Sequence, residues 1–293
     1  MTRMRIDLLA GTGAAPLAPG PRAPAVLVFD SGLGGLTVLS ELRRARPDAR
    51  IVYAADDAAF PYGDLSEEML VARVVAVMER LVAAHAPDLV VVACNTATTL
   101  VLPALRARFA VPFVGTVPAI KPAAAATRTG RISVLATPGT VRRDYTRELI
   151  DAYAGTCAVT LVGATRLAAL AEADLAGCPV DDDVLREEIA PCFVGEGSAR
   201  TDVVVLGCTH YPLLLARFER LAPWPVTWID PAPAVARRMA ALLGPAPRGT
   251  DPEATPGLAV FTGGEGLTAP LRAALAARGL GKVAVTAMPS PRQ

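Results

Sequence analysis

Apolar residues fall along this chain in short unbroken runs, separated by longer stretches of helical period. The runs AVLVF (25–29), RIVYAA (50–55), LVVVA (89–93), PFVGT (112–116), RISVLAT (131–137), VTLVG (159–163), DVVVLG (202–207), VTWID (226–230) and LAVFTG (258–263) are the predicted strands. Aliphatic runs without alternation belong to strands buried on both faces, as in a parallel sheet covered by helices. Between them, residues 34–47 gather Leu36, Leu39 and Leu42 on one stripe, away from the arginines. Residues 66–88 open on Ser66 as predicted N-cap, with Glu67 and Glu68 in the first turn, where the helix dipole favours anions. Residues 142–155 predict a third helix, stopped at Gly155.

Strands alternating with helices predict an α/β chain with right-handed crossovers. The expected architecture is two similar domains, each a mainly parallel sheet flanked by helices, with the active site in the cleft between them. The chain breaks near VPAIKPAAAA (117–126). Residues 1–24, rich in Pro, Gly and Ala, read as a flexible tail. Residues 25–118 with 231–293 form the first expected domain and 119–230 the second, and 244–257 read as a loop.

Composition narrows the function. Hydrophobic residues make up 52% and charged residues 19%, and 29 Lys and Arg against 28 Asp and Glu leave a net charge of +1. That balance offers no electrostatic footprint for nucleic acid or an anionic membrane. The longest apolar stretch, 89–105, is short for a membrane span and contains Asn95 and threonines. Asp7 and the Gly/Pro series interrupt the N-terminal apolar patch, which argues against a signal peptide. Five cysteines without a CxxC pair imply reduced thiols and a cytoplasmic protein, and His85 and His210 have no zinc-ligand spacing.

The distinctive chemistry is a device used twice. In PDLVVVACNT (87–96) and TDVVVLGCTH (201–210) an aspartate precedes an aliphatic run, and a cysteine comes at the same interval: Asp88 to Cys94, Asp202 to Cys208. Ligands in open α/β sheets gather at the carboxyl ends of strands. A thiol there meets backbone N–H groups and the positive end of a helix, which favour thiolate. Cys157, Cys178 and Cys192 lack that context and read as structural. The first strand ends in a third polar turn, FDSGLGGLTVL (29–39), where Asp30 and Ser31 precede glycines that would let the backbone approach a ligand. PYG (61–63) reads as a simple turn, His85 as solvated surface, and Glu172 as a helix-face carboxylate. His210, two residues past Cys208, is suited to handling that thiol's proton.

Two thiols opposed across a cleft suit inversion of a stereocentre. One takes a proton from a carbon acid while the other delivers one to the opposite face, and no cofactor is needed. A cysteine hydrolase using Cys208 with His210 is a different reading, but it leaves Cys94 without a role. An amino-acid binder that has lost its chemistry is another.

With FDSGLGGLTVL (29–39), PYG (61–63), ACNTAT (93–98), ATPGTVRRDY (136–145) and GCTHYPLL (207–214), the chain resembles the bacterial glutamate racemase family over residues 25–270. LVGATRLAALAEADL (161–175) resembles its Gram-negative branch. The resemblance implies interconversion of L- and D-glutamate, which supplies D-glutamate for peptidoglycan. It implies Cys94 and Cys208 as the acid/base thiols, Cys94 acting on D-glutamate and Cys208 on L-glutamate. Asp30 would assist Cys94, with His210 and Glu172 on the Cys208 side. The implied substrate contacts are Asp30, Ser31, Tyr62, Gly63, Asn95, Thr96, Thr137, Thr140, Thr209 and His210. Ahead of PYG the family carries a threonine and an arginine that ADDAAF (55–60) lacks, so no contact is assigned there. A homodimer and a UDP-linked muramoyl-alanine activator are also implied. A racemase for aspartate or a hydantoin is the nearest alternative, and it resembles the chain less at DSGLGG and GCTHYPLL.

Overall fold

The computed structural model describes residues 22–246 and 256–288. Most of the expected N-terminal tail and most of the 244–257 loop lie outside these residues. Each predicted strand is present: β1 (Ala25–Asp30), β2 (Arg50–Ala55), β3 (Leu89–Val92), β4 (Phe113–Gly115), β5 (Arg131–Ala136), β6 (Ala158–Gly163), β9 (Val203–Leu206), β10 (Thr227–Ile229) and β11 (Leu258–Phe261). Three more are added: a two-residue hairpin, β7 (Gly195–Glu196) with β8 (Ala199–Arg200), and β12 (Lys282–Val285).

Two fully parallel sheets result. One runs β12-β11-β2-β1-β3-β4, the other β10-β9-β5-β6. The order β2-β1-β3-β4 repeats as β6-β5-β9-β10, so the halves share one topology, and β11 and β12 return to extend the first sheet. Both sheets reverse strand order beside their first strand, between β1 and β3 and between β5 and β9. Such switch points leave a crevice at the strands' carboxyl ends.

Burial explains why the strands read as continuous runs. On one face of the first sheet, Leu27, Phe29, Val52, Val90 and Val92 pack under α2 (Glu67–His85) and α3 (Asn95–Arg108). On the other, Val26, Val28, Ile51, Tyr53 and Val91 meet α1 (Leu36–Ala45), together with Met239 and Leu275 from later helices. Ile132, Val134, Val203 and Val205 of the second sheet join the first of these clusters through α4 (Ile120–Ala126), so apolar packing is continuous between the sheets. Ser66 caps α2 as predicted, accepting from Met69 N at 3.2 Å.

The segment 142–155 departs from expectation. A short helix, α5 (Pro138–Arg142), precedes α6 (Asp144–Tyr153), and Arg143 between them is extended at φ −68°, ψ 136°. α6 ends at Tyr153 with Ala154 as its cap, whose N–H reaches Ile150 O; Gly155 follows directly, without the positive φ of a left-handed stop. Two more helices complete the second half near the site, α7 (Leu167–Leu175) and α8 (Asp182–Ile189). Among the described residues no helix is long and apolar enough to cross a membrane.

Candidate active site

β3 ends at Val92, and Cys94 is the residue immediately preceding α3. Its buried Sγ lies 3.6 Å from Ser31 Oγ. Because β1 is the neighbour of β3, Asp30 arrives beside it, fully buried. Asp30 Oδ2 accepts from Gly35 N at 2.6 Å, while Oδ1 has no hydrogen-bond partner. The helix N-terminus favours thiolate as expected, through the Ala97 N–H, but it is outweighed here. Burial, and then the charge of Asp30, push the Cys94 thiol well above its ordinary value, and the Ala97 N–H and Ser31 hydroxyl only partly offset them. Cys94 therefore rests as a proton donor.

Cys208 occupies the equivalent place after β9, but the next element is a 3₁₀ turn, Tyr211–Leu214, not an α-helix. The missing helix end is replaced by a side chain. His210 Nδ1 lies 3.7 Å from Cys208 Sγ, and its Nε2 lies 2.8 Å from Glu172 Oε1 on α7. Burial pulls the His210 pKa down, yet the contacts with Cys208 and Glu172 outweigh it and hold the imidazole protonated well above its usual range. The two thiols are close enough for charge on Cys208 to raise Cys94.

Glu172 does more than orient the histidine: the same Oε1 accepts from Leu33 N at 2.8 Å, in the DSGLGG loop of the other half. Thr37 Oγ1 donates to Thr209 O at 3.1 Å across the same seam. These contacts account for two of the glycines. A Cβ on Gly32 would stand 2.0 Å from Glu172 Oε1, and one on Gly34 would stand 2.5 Å from His210 Nδ1. The sequence reading of these glycines as room for a ligand is thus corrected: they make room for side chains of the opposite half.

The remaining residues expected as contacts come from both halves. Asn95 is 2% exposed, and neither end of its amide has a partner, a costly state unless a ligand supplies one. Thr96 Oγ1 lies 3.1 Å from Thr137 Oγ1 and 3.5 Å from Thr140 Oγ1, joining the halves through hydroxyls. Thr137 also caps α5, accepting from Thr140 N. Thr209 is buried beside His210. Gly63 is close to Gly139, whose added Cβ would come 3.8 Å from Gly63 Cα. Tyr62 is buried with its hydroxyl committed to Asp56 Oδ2 at 2.6 Å, so it supports the turn that carries Gly63.

Asp56 is a residue that the sequence pattern does not single out. It pairs with buried Arg73 and also accepts from Thr262 Oγ1 at 2.7 Å, tying the turn to α2 and to the end of β11. Phe60, whose ring centroid is 5.4 Å from that of His210, is another. The available signal for Asp56 is an acid at the carboxyl end of β2, in line with Asp30. Cys157, Cys178 and Cys192 take no part in these contacts.

Asp30 carries a testable cost. Burial, only partly offset by the charge of His210 and by backbone N–H groups of Gly35 and Ser31, raises its pKa. A carboxyl with a folded pKa above its unfolded one stabilises the fold while protonated, and that contribution is lost as pH rises through the folded value. Asp30→Asn is therefore expected to melt higher than the parent at pH 8, the gap closing toward pH 4, with activity sharply reduced. Thermal melts across that range check it, and a parent more stable than the variant at pH 8 contradicts it.

The fold, with one buried cysteine past a strand end in each sheet, is that of a class of isomerase, and comparison agrees. Residues 36–239 match the Asp/Glu/Hydantoin racemase family, and the chain belongs to that family. It is 59% identical over 221 residues to the glutamate racemase of Brucella anthropi, covering 75% of this chain and 80% of that one. With the glutamate racemase of Mesorhizobium japonicum the identity is 56% over 241 residues, 82% of this chain and 92% of the relative. Among solved structures, Escherichia coli glutamate racemase in complex with L-glutamate and the activator UDP-MurNAc-Ala superposes with a TM-score of 0.83 at 43% identity. The match covers 91% of this chain and 99% of that one.

Proposed function

We propose that this cleft interconverts L- and D-glutamate without a cofactor, with Cys94 and Cys208 as the two acid/base groups. The observation that carries the reading is the repeated switch point, which brings one thiol from each half to a shared cleft with a different helper beside each. L-glutamate presents its α-hydrogen to Cys208, and Cys94, held protonated by burial, returns a proton to the opposite face. In the reverse direction Cys94 takes the proton from D-glutamate. The imidazolium of His210 compensates negative charge that develops on Cys208 Sγ, and Ser31 Oγ and Asp30 attend Cys94. The unpartnered amide of Asn95 and the hydroxyls of Thr96, Thr137, Thr140 and Thr209 supply hydrogen bonds to the amino acid's polar groups, as do the backbone around Gly63 and the Asp30 carboxyl.

We assign the product to peptidoglycan synthesis, in the cytoplasm, by a homodimer of this chain. The test of activity is incubation with L-glutamate in D2O, then chiral separation and mass analysis. Deuterated D-glutamate is the expected product. Turnover of aspartate alone would keep the two thiols and overturn the substrate.

A second reading concerns activation. A separate cavity of about 250 Å³ has a mostly apolar lining into which Lys121, Tyr145, Tyr153 and Arg238 bring cations and rings suited to part of an anionic, ring-bearing ligand. The E. coli enzyme's activator is a ligand of that kind. Adding UDP-MurNAc-Ala at saturating glutamate is expected to raise kcat, and Lys121→Ala to blunt the response. An unchanged rate would mean that this chain runs without an activator.

A further inference from the structure

Across the seam where Gly63 meets Gly139 lies an ion pair that the two-thiol chemistry leaves unused. Arg143, at the break between α5 and α6, donates from Nη1 to Glu67 Oε1 in the first turn of α2. The backbone N–H of Arg143 is tied to Thr140 O at 3.3 Å, which fixes the root of its side chain next to the threonine cluster. Glu67 lies a single turn beyond Gly63 in the opposing half.

The two partners differ in setting. Arg143 is 17% exposed and its Nε is buried with no hydrogen-bond partner, whereas the Glu67 side chain is 60% exposed. An arginine so placed offers one edge of its fork to a solvated carboxylate and keeps another donor unsatisfied. A bidentate carboxylate would complete it, in the geometry that a guanidinium favours. The existing pair resists exchange weakly, since one member is solvated and water screens its charge. Glu67 also loses little on release, because it stays in the first turn of α2, where the helix dipole favours an anion.

We propose that Arg143 is a specificity-determining residue at the cleft mouth that captures the side-chain carboxylate of the incoming amino acid, with Glu67 as the resting counter-ion it leaves. The inference rests on the reading of glutamate as substrate. It makes the two partners act in opposite senses, which a merely structural clasp does not. Glu67→Gln frees the guanidinium and is expected to lower KM for glutamate by about 2- to 5-fold at low salt. Arg143→Ala is expected to raise KM about 10-fold, with kcat changed less than about 3-fold and partial recovery in Arg143→Lys. Raising the ionic strength to about 0.5 M should shrink the Glu67→Gln gain.

The experiment is steady-state kinetics on the parent and the three variants at two salt concentrations, with melting temperatures measured alongside. KM moving in opposite directions for Glu67→Gln and Arg143→Ala supports the proposal. KM rising in both, together with lower melting temperatures, would make the pair a clasp and overturn it, as would KM unchanged in both. A parent that racemises glutamate while its variants shift alike sinks this inference alone, whereas a parent inert toward glutamate sinks the functional reading with it.

Discussion

Replacing Cys94 or Cys208 by alanine is expected to cut kcat/KM for glutamate by at least about 10³-fold in either direction, a loss of roughly 4 kcal/mol of transition-state stabilisation. The fold should survive, since each cysteine is a small buried side chain whose main-chain partners stay in place. Loss of rate alone would fit many arrangements, so the residual chemistry is the sharper result. On the proposed assignment Cys94 acts on D-glutamate, so with Cys208 gone any remaining α-hydrogen exchange in D2O should be confined to that enantiomer, with configuration retained. The Cys94→Ala protein should exchange only L-glutamate. Proton NMR of each enantiomer incubated with each variant decides it. Exchange of both enantiomers by either variant would remove the assignment of one thiol to one face.

The second large effect is expected from the smallest change, Gly32→Ala. The added Cβ would stand 2.0 Å from Glu172 Oε1 and 3.1 Å from Phe60 Cδ2. Glu172 ends in a flexible carboxylate, so the protein yields by moving it, and the melting temperature should fall by only a few degrees. Catalysis is not so forgiving, because the displaced oxygen is the one that holds both His210 and Leu33 N. A shift of about 1 Å in such a group can cost on the order of 10²-fold, and a kcat decrease of that size is expected. The Gly32→Ala/Glu172→Ala double variant should be no slower than Glu172→Ala alone, since both changes break one unit. A Gly32→Ala protein with parental kcat would show that Glu172 is not needed there.

Much of this is legible in the sequence because parallel strands buried on both faces leave an unbroken aliphatic trace. All nine predicted strands appear, and the thiols stand at the ends of two of them. What escapes is of three kinds. β12 and the 195–200 hairpin are too short or too mixed in polarity to leave a run, with KVAV half exposed. Arg143 interrupts what reads as one continuous helical segment, since nothing in VRRDY signals an extended residue. Most telling are Glu172, Gly32 and Gly34. Their roles arise where the halves meet, and no local pattern along one strand or helix encodes what the other half brings to it. Family resemblance puts Glu172 among the assisting groups, but its bond to Leu33 N is visible only in three dimensions.

The unlike companions of the two thiols, a carboxyl and hydroxyl at one and an imidazolium–carboxylate pair at the other, have a consequence for what can be measured. Mirror-image amino acids have the same free energy in water, so the ratio of forward to reverse kcat/KM is pinned at unity however lopsided the protein is. The lopsidedness survives only under saturation: whichever enantiomer settles more comfortably in its ground state must be turned over more slowly, in proportion. A substitution at Asp30 or at His210 can widen or narrow that disparity, but it will always move turnover and half-saturation together, leaving their quotient matched between left and right.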